Sequence, residues 1–445
     1  MDPALWTKSK QRIVAEFERI EQLDGDKRPG WVNQLRRQAI ERFDHLGFPT
    51  PNHELWKYTN LSRFVEEHQF QYVDPAGSVT KSALAPFLIS DDHILRLVFV
   101  DGRFSPALSA MEGLDAQIVV STLSEALASG RKGSSWFGQV APLEEAFTAL
   151  NTAFAPDGVF VHLAPDKELP VPIHLLHVAS GQPETGACPR ALIVLEANSR
   201  VSLVESFVGL GKSPYCTNAV TEIVLESNAS LDYYTVQREA EAAFHFSRVQ
   251  VKQARDSRFS SHAISLGGSL TRNHLGVSLQ AENTECTLNG LFLAMGEQHA
   301  DNYTTIEHLS PHTASHELYK GILGGKATGV FNGRIVVEKK AQKTYARQSN
   351  QNLLLSDEAT INTKPQLEIF ADDVKCTHGA TIGQLEEEAL FYLRSRGIDQ
   401  SEARGILTYA FAADILTRIK VLPLRSHLEQ WLFSQWRGMS HLGAV

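Results

Sequence analysis

The sequence predicts a mainly β protein in which a stack of strands is flanked by helices on both sides along the chain. From about residue 158 to residue 383 the chain is rich in Val, Ile, Leu and Thr and lacks long helical periodicity. Apolar residues near the 3.6-residue spacing of a helix fill residues 1–48 and return after residue 385. A short strand–corner–strand pattern also recurs within the β-rich region.

The recurring pattern is clearest in two similar segments. Residues 193–198 read Ile-Val-Leu-Glu-Ala-Asn, and residues 223–228 read Ile-Val-Leu-Glu-Ser-Asn. Further corners are predicted at Asp256, Asn283, Ala327, Ala359 and Ala380. A strand-rich repeat of this length is typical of stacked coils that share one core, and Asn or Asp tolerates the left-handed backbone of a tight corner. The pattern favours a parallel β-helix, and a β-sandwich stays open as the alternative.

The N-terminal part of the chain reads mostly as helix. We expect one helix through Leu5–Ile20, a break at Pro29-Gly30, and a second helix from Trp31 through Leu46. A strand is predicted at His93–Val100 and another helix at Leu143–Phe154. These elements define an N-terminal helical region, residues 1–155, with a small β element.

Helices are also expected after the β-rich core, which we place at residues 156–385. A helix over Glu386–Arg396 should end at Gly397, and Asp399 is the expected N-cap of the next helix. Pro423 separates a third amphipathic helix from the second. Residues 386–445 therefore form a C-terminal helical region, which is either a cap on the stack or a docking surface for another protein.

Composition excludes several classes of function. The 51 acidic and 42 basic residues give a net charge of −9, which argues against a nucleic-acid clamp. Four cysteines in 445 residues are too few for a disulfide framework and favour a reducing compartment. Since the N-terminus lacks a signal-peptide pattern and no run reaches about 18 apolar residues, we expect a cytoplasmic protein without a membrane segment.

Two motifs resemble ligand sites but fail on inspection. The glycine-rich run Gly321–Thr328 has Lys320 where a Walker A loop needs glycine, and Ala327 where that loop needs a hydroxyl, so we expect a β-turn and no bound nucleotide. Four histidines lie close together in the sequence, and the last three, His308, His312 and His316, would share a helix face if Pro311 did not interrupt the helix. We therefore expect structural or surface roles for His299, His308, His312 and His316.

Cys376 and His378 form the sharpest candidate site. In a strand, residues two apart project to the same face, here roughly 7 Å apart. A thiolate and an imidazole suit iron, zinc or an iron–sulphur cluster, although a buried cysteine beside a chance histidine is the alternative. A cluster usually takes four ligands, so a complete site needs others, and a second chain is a natural donor.

Several long segments resemble the SufD family of the Suf iron–sulphur cluster assembly system. The likeness spans about residues 50–440, with the motifs in the family's order. The matching segments are Glu54–Thr59, Glu317–Ile322, Val330–Ile335, Gln342–Thr344, Ser349–Ser356 and Cys376–Ile398. The paralogous SufB sequence differs after the Val-Lys-Cys position at residues 374–376, so SufD is the better match.

The resemblance implies a right-handed parallel β-helix with helical flanks and a heterodimer with SufB. It also implies that the C-terminal helices dock SufC, an ABC-type ATPase, so that ATP hydrolysis belongs to the partner and this chain is a non-catalytic scaffold. The nascent cluster would form between the two β-helices, using a SufB cysteine and a SufD histidine that maps to His378, with Cys376 as a neighbouring candidate. Nothing in the sequence supports a flavin site, and the isolated chain could form a homodimer.

Two other functions stay open. One is a β-helix enzyme acting on carbohydrate, which needs a compact cluster of Asp, Arg or Lys in the external groove for acid–base chemistry. The other is a purely structural partner of SufB that contributes no ligand.

Overall fold

The computed structural model describes residues 2–24, 28–72, 79–89, 94–111 and 117–439. Within these ranges the α-helices are α1 (Pro3–Asp24), α2 (Gly30–Leu46), α3 (Ser62–Glu67), α4 (Lys81–Leu84), α5 (Leu123–Ala128), α6 (Ala146–Phe154), α7 (Glu387–Ser395), α8 (Gln400–Leu416) and α9 (Leu422–Met439). The strands are β1 (Leu95–Val100), β2 (Arg103–Phe104), β3 (Ile118–Thr122), β4 (Val159–Leu163), β5 (Ile173–Ala179), β6 (Thr185–Ala187), β7 (Arg190–Leu195), β8 (Arg200–Gly209), β9 (Tyr215–Leu225), β10 (Ser230–Arg238), β11 (Phe244–Gln253), β12 (Arg258–Ser265), β13 (Leu270–Leu279), β14 (Glu285–Ala294), β15 (His299–His308), β16 (Ala314–Leu323), β17 (Thr328–Val337), β18 (Tyr345–Leu354), β19 (Thr360–Ile369) and β20 (Lys375–Gly383).

The chain alternates between two long sheets. Sheet A runs in the order β19-β17-β15-β13-β11-β9-β7-β4-β3, and sheet B in the order β2-β1-β5-β8-β10-β12-β14-β16-β18-β20. From β8 onward successive strands change sheet, and each pairs in parallel with the strand two further along the chain. This arrangement is a parallel β-helix flanked by helices, which confirms the predicted fold and excludes the antiparallel β-sandwich.

The predicted polar corners have the left-handed backbone that the sequence pattern indicates. The φ angles of Asn198, Asn228, Asp256 and Asn283 are 59°, 59°, 59° and 60°. These side chains also bind one another along the stack, since Asn228 Nδ2 donates to Asn198 Oδ1 at 2.9 Å and Asn283 Nδ2 donates to Asp256 Oδ1 at 3.0 Å. The same corner continues at two later positions with φ of 56° and 63°, His312 and Lys343.

One predicted corner is wrong. Ala327 and Ala359 lie immediately before β17 and β19 as expected, but Ala380 lies inside β20, paired with Asn350 of β18. The residues after Ala380 are the β-branched Thr381 and Ile382, which favour an extended strand, and nothing in this triplet interrupts the ladder. The alanine-threonine pattern is therefore compatible with a strand interior as well as with a corner.

Alternate side chains of both sheets point between them and form the main core. Each fully buried aliphatic side chain contributes about 1.5–3 kcal/mol relative to exposure. Members of this core with no exposed surface include Val161, Ile193, Leu203, Ile223, Leu231, Leu288 and Ile335. The core extends along the whole stack and fixes the register of each coil, because a shift of one residue would turn these side chains outward.

The N-terminal helices pack around the first coils. Helices α1, α2 and α6 appear at the predicted places, and all nine residues of α6 are buried. The predicted strand at 93–100 is observed as β1, while His93 lies outside the described residues. Arg190 of β7 binds Glu222 of β9 with 2.5 Å between Nη2 and Oε2, and Glu222 also accepts three backbone N–H bonds from the 138–141 loop.

The C-terminal helices α8 and α9 pack on the outer face of sheet B. Their apolar residues, among them Ile415, Leu424 and Leu428, contact Tyr234 and Ile264 of the sheet. Asp399 caps α8 as predicted, accepting bonds from the N–H groups of residues 401 and 402 at 2.8 and 3.0 Å. These helices therefore form an arm that is attached to the side of the β-helix rather than to its end.

Candidate functional site

Cys376 and His378 lie in β20, the last strand of sheet B. β20 pairs in parallel with β18, so that Cys376 stands opposite Ala346 and His378 opposite Gln348. Ala346 and Gln348 are 1% and 2% exposed, as befits residues that face the interior of a closed coil. Because residues in parallel register share a face, Cys376 and His378 also point to the inner side of the β-helix, on one common face as their spacing predicts.

The last coil leaves this inner face open to solvent. Within the described residues, β19 and β20 each pair with a single strand of their own sheet, and neither strand contains a buried residue. Cys376 is partly buried against the end of the core, whereas His378 is exposed. Burial raises the pKa of the Cys376 thiol, and a hydrogen bond with the backbone of Ala346 partly opposes this rise. To bind a metal ion, the thiol would have to release its proton.

A row of buried polar side chains continues from His378 into the β-helix. Gln348 follows one coil deeper and Glu317 a further coil deeper, in register on the same face. Gln348 Nε2 donates to Glu317 Oε2 at 2.7 Å, and burial raises the pKa of Glu317 to about 7. Sequence reasoning missed this pair, although their regular one-coil spacing from His378 is the same period that revealed the corners.

The other three cysteines are remote from this face or enclosed. Cys286 is in register with Cys376 on the same inner face, but it lies three strand spacings deeper, roughly 14 Å away. Cys188, Cys216 and Cys286 are all buried, and desolvation raises the pKa of each thiol. Cys376 is thus the cysteine of this chain that a partner or a metal ion can reach.

The four histidines between residues 299 and 316 are dispersed. His299 Nε2 lies 3.0 Å from Thr59 Oγ1, while His308 is enclosed by Thr313 and Ser315 at 2.7 and 2.9 Å. Burial lowers the pKa of His308 to about 4. His299 and His308 lie in β15, His312 lies at a corner, and His316 lies in β16. These are structural or surface positions, as expected. Residues 324–327 of the glycine-rich run form a turn between β16 and β17, as expected, while its first three residues complete β16.

Neither a complete metal centre nor a membrane segment is found in the part of the chain that the structure describes. Over these residues, no group of three or more His, Cys, Asp and Glu side chains is placed to hold a metal ion. No helix in the same ranges is long and apolar enough to cross a membrane.

The C-terminal helices α7 and α9 expose large apolar side chains to solvent. Phe391 and Tyr392 of α7 are 72% and 57% exposed, and Leu422 and Phe433 of α9 are 67% and 51% exposed. Exposed aromatic and aliphatic groups on neighbouring helices are typical of a protein-docking surface.

Comparison with known proteins places the chain in a family. The model of the SufBD core domain, from the SUF system of iron–sulphur cluster assembly, matches residues 177–411, and the model of the SufBD N-terminal region matches residues 7–175. A SufBD family protein of iron–sulphur cluster assembly from Synechocystis is 36% identical over 407 residues, covering 89% of each chain.

Two relatives carry the name SufD. The iron–sulphur cluster assembly protein SufD of Escherichia coli is 32% identical over 416 residues, covering 93% of this chain and 94% of its own. SufD of Bacillus subtilis is 26% identical over 413 residues, covering 90% and 93%. These matches confirm the resemblance expected from the motifs, and the chain belongs to the SufBD family of iron–sulphur cluster assembly proteins.

Proposed function

We propose that this chain is a SufD-type scaffold subunit whose last coil supplies ligands to a nascent iron–sulphur cluster. The observation that carries the proposal is that Cys376 and His378 share the inner face of an uncovered coil. Thiolate and imidazole are suitable ligands for iron, but two side chains are fewer than the four that a cluster takes. The remaining ligands come from a partner, and the cluster is cargo that the chain holds without catalysing a reaction.

The partner that we propose for the open end is the β-helix of SufB. An unpaired strand edge offers N–H and C=O groups to another chain, and β20 presents such an edge. Exposed apolar residues accompany it, since Ile369, Phe370 and Ile382 are 40%, 59% and 52% exposed. When SufB is absent, the same surface could pair with a second copy of this chain.

The exposed face of the C-terminal helices is the proposed docking surface for the ATPase SufC. In this scheme residues 1–155 support the first coils, residues 156–385 form the scaffold, and residues 386–445 connect it to the ATPase. The arm is tied to the late coils, because Lys320 Nζ of β16 lies 2.8 Å from Asp414 Oδ2 of α8 and Arg404 Nη2 donates to the Leu355 carbonyl at 2.9 Å. Movement of the arm on ATP binding would thus be transmitted to the interface and expose the ligands to iron and sulphide.

A reconstitution experiment tests the ligand role. The chain is assembled with SufB and SufC, supplied with ferrous iron and sulphide, and assayed by visible absorbance and by iron and sulphide content. We expect His378→Ala to leave the heterodimer intact and to abolish cluster formation. His45→Ala, which changes an exposed histidine at the end of α2, should assemble cluster normally.

Each outcome assigns a different role. Normal cluster formation by His378→Ala and by Cys376→Ser would refute the ligand role and support a purely structural partner. Failure of the wild-type chain to associate with SufB would refute the scaffold itself. Depolymerisation of polysaccharide by the isolated chain would support the carbohydrate enzyme instead.

A further inference from the structure

A cavity of about 320 Å³ lies on the outer face of sheet B, on the opposite side of the strands from Cys376 and His378. Its floor consists of outward-facing residues of β14, β16 and β18, and its wall is the end of α8 with the segment that leads to α9. Four polar neutral residues contribute to the floor beside His316 and Leu318: Thr287, Asn289, Ser349 and Gln351. The volume is at the lower end of the range found for small-molecule sites.

Two arginines supply the positive charge of this cavity. Arg347 projects from β18, is exposed, and has no ion-pair or hydrogen-bond partner within the described ranges. Arg418 Nη2 lies 3.1 Å from Asp414 Oδ1, but the other oxygen of the same carboxylate already binds Lys320 at 2.8 Å. Arg347 and Arg418 are thus the cations that line the cavity, and Asp414 divides its carboxylate between Arg418 and Lys320 of β16. Glu317 also contributes to the lining, but its carboxylate accepts a bond from Gln348 inside the coil.

A neighbouring cavity provides an internal comparison. It is also about 320 Å³, shares Thr287, Asn289 and Arg418 with the first, and extends along the same sheet toward β10. Its own cations are neutralised, because Lys420 Nζ lies 2.9 Å from Asp232 Oδ1 and Arg258 Nε lies 3.2 Å from Glu285 Oε2. Among the cations that line the two cavities, Arg347 is thus the one without a carboxylate partner within the described residues, on a chain whose net charge is −9.

We infer that this cavity binds a small molecule bearing a phosphate or carboxylate group, held between Arg347 and Arg418. Guanidinium groups form charge-assisted, often bidentate bonds with both oxyanions, and a concave site between protein walls strengthens their field. The hydroxyls of Thr287 and Ser349 and the amide groups of Asn289 and Gln351 supply neutral donors for the rest of the molecule.

Such an occupant would bridge two parts of the molecule. Arg347 belongs to the β-helix, whereas Arg418 belongs to the connection between α8 and α9, so a bound anion would hold the arm against the late coils. Arg347 also stands directly opposite Thr377, the residue between Cys376 and His378. The inference does not depend on the proposed cluster ligands, because it concerns the outer face of the sheet.

Calorimetric titration of the full chain with two probes, inorganic pyrophosphate and citrate, tests the inference at low ionic strength. We expect one site per chain, and a Kd at least about tenfold higher for Arg347→Gln and for Arg418→Gln. Arg347→Lys should fall between, because it keeps the charge but loses the bidentate geometry. The control Arg255→Gln removes an exposed arginine that pairs with Asp256 and Glu282 outside the cavity, and it should bind as the wild type does.

Tighter binding of pyrophosphate than of citrate would assign the site to phosphate compounds, and the reverse order to carboxylates. Absence of binding of both probes would overturn the inference. So would an equal loss in Arg255→Gln, or no loss in either cavity variant whose urea midpoint shows that it is folded. Binding of a polyglutamate peptide without binding of either small anion would replace the small molecule with an acidic protein segment.

Discussion

The two ends of the β-helix are completed in opposite ways. At the first coils, β2 and β3 pair antiparallel with β1 and β4, helices cover the outside, and every residue of β9 is buried. At the last coil, β19 and β20 contain no buried residue. Helices cover the first coils, whose strands β4 and β5 are buried throughout, whereas the last end presents its strand edge and its candidate ligands to the outside. The comparison indicates that stability is concentrated at one end and recognition at the other.

Breaking an ion pair at each end should give the largest difference. Arg190 and Glu222 at the covered end have no exposed side-chain surface, and Arg190 Nη1 also donates to Asn151 and Thr152 at 3.1 and 2.9 Å. Arg190→Met leaves the Glu222 carboxylate buried without its cation, which should lower the free energy of unfolding by about 3–5 kcal/mol. Urea unfolding at pH 7 measures it.

The matched change at the open end is Arg334→Met. Arg334 binds Glu368 at 2.7 Å through two nitrogens, but both side chains are 37% exposed, so the loss should stay within about 1 kcal/mol. Equal losses in the two variants would contradict the proposed concentration of stability at the covered end.

Glu317 gives the next largest effect, and it depends on pH. Burial raises the pKa of Glu317 from 4.5 to about 7 in the folded state. Between pH 4.5 and pH 7, the folded protein therefore holds a proton that the unfolded protein has released. Its contribution to stability is therefore complete below pH 4.5 and is lost as pH rises toward 7, a change of about 3 kcal/mol. Glu317→Gln should remove this loss, making the variant more stable than wild type at pH 8 but not at pH 4.5.

Urea unfolding at both pH values measures that difference. Glu338→Gln, which alters an exposed carboxylate near the end of β17, should follow the wild type at both. A stability gain in Glu317→Gln that is the same at pH 4.5 and pH 8 would show that packing rather than proton binding is the cause.

Local features were predictable because their causes lie within a few residues. The corners at Asn198 and Asn228 follow from short polar side chains that tolerate a left-handed backbone, and the cap at Asp399 follows from a carboxylate next to free N–H groups. The shared face of Cys376 and His378 needs only the two-residue period of a strand. Ala380 failed as a corner because alanine followed by β-branched residues has no such specific cause.

Contacts between coils and between segments were not predictable in the same way. Arg190 and Glu222 become partners only after β7 and β9 pair in register, and neither residue carries a local signature of that contact. Arg347 and Arg418 meet at one cavity only because the arm docks on sheet B. The pairing of Glu317 with Gln348 left a signal in the sequence, because the two residues are separated by the period of the coil. Using that signal required knowing which residues of each strand face inward.

Substitutions at left-handed corners should lower the free energy of unfolding by modestly different amounts at the two ends. Asn228→Ala places a less tolerant residue at φ 59° and removes the bond to Asn198, so we expect a loss of about 1 kcal/mol. Asn228→Gly should stay within about 0.5 kcal/mol of wild type. At the open end Lys343 already has a long side chain at φ 63° and an exposed ion pair with Asp373, so Lys343→Ala should change little. Urea midpoints rank the three variants, and a larger loss in Lys343→Ala than in Asn228→Ala would contradict this order.

The smallest effect on stability should accompany the largest effect on association. Ile382 on β20 is 52% exposed in the isolated chain, so Ile382→Lys should change the free energy of unfolding by no more than about 0.5 kcal/mol. If the open end receives SufB, however, the new ammonium group is buried against another coil, and association should weaken at least about tenfold.

Leu422→Lys on α9 is the matched control, because Leu422 is 67% exposed on the proposed SufC surface. It should weaken SufC binding and leave SufB binding unchanged. Normal pairing of Ile382→Lys with SufB would show that the open end is not the interface, and the contrast between the two ends would then require a different occupant of the last coil.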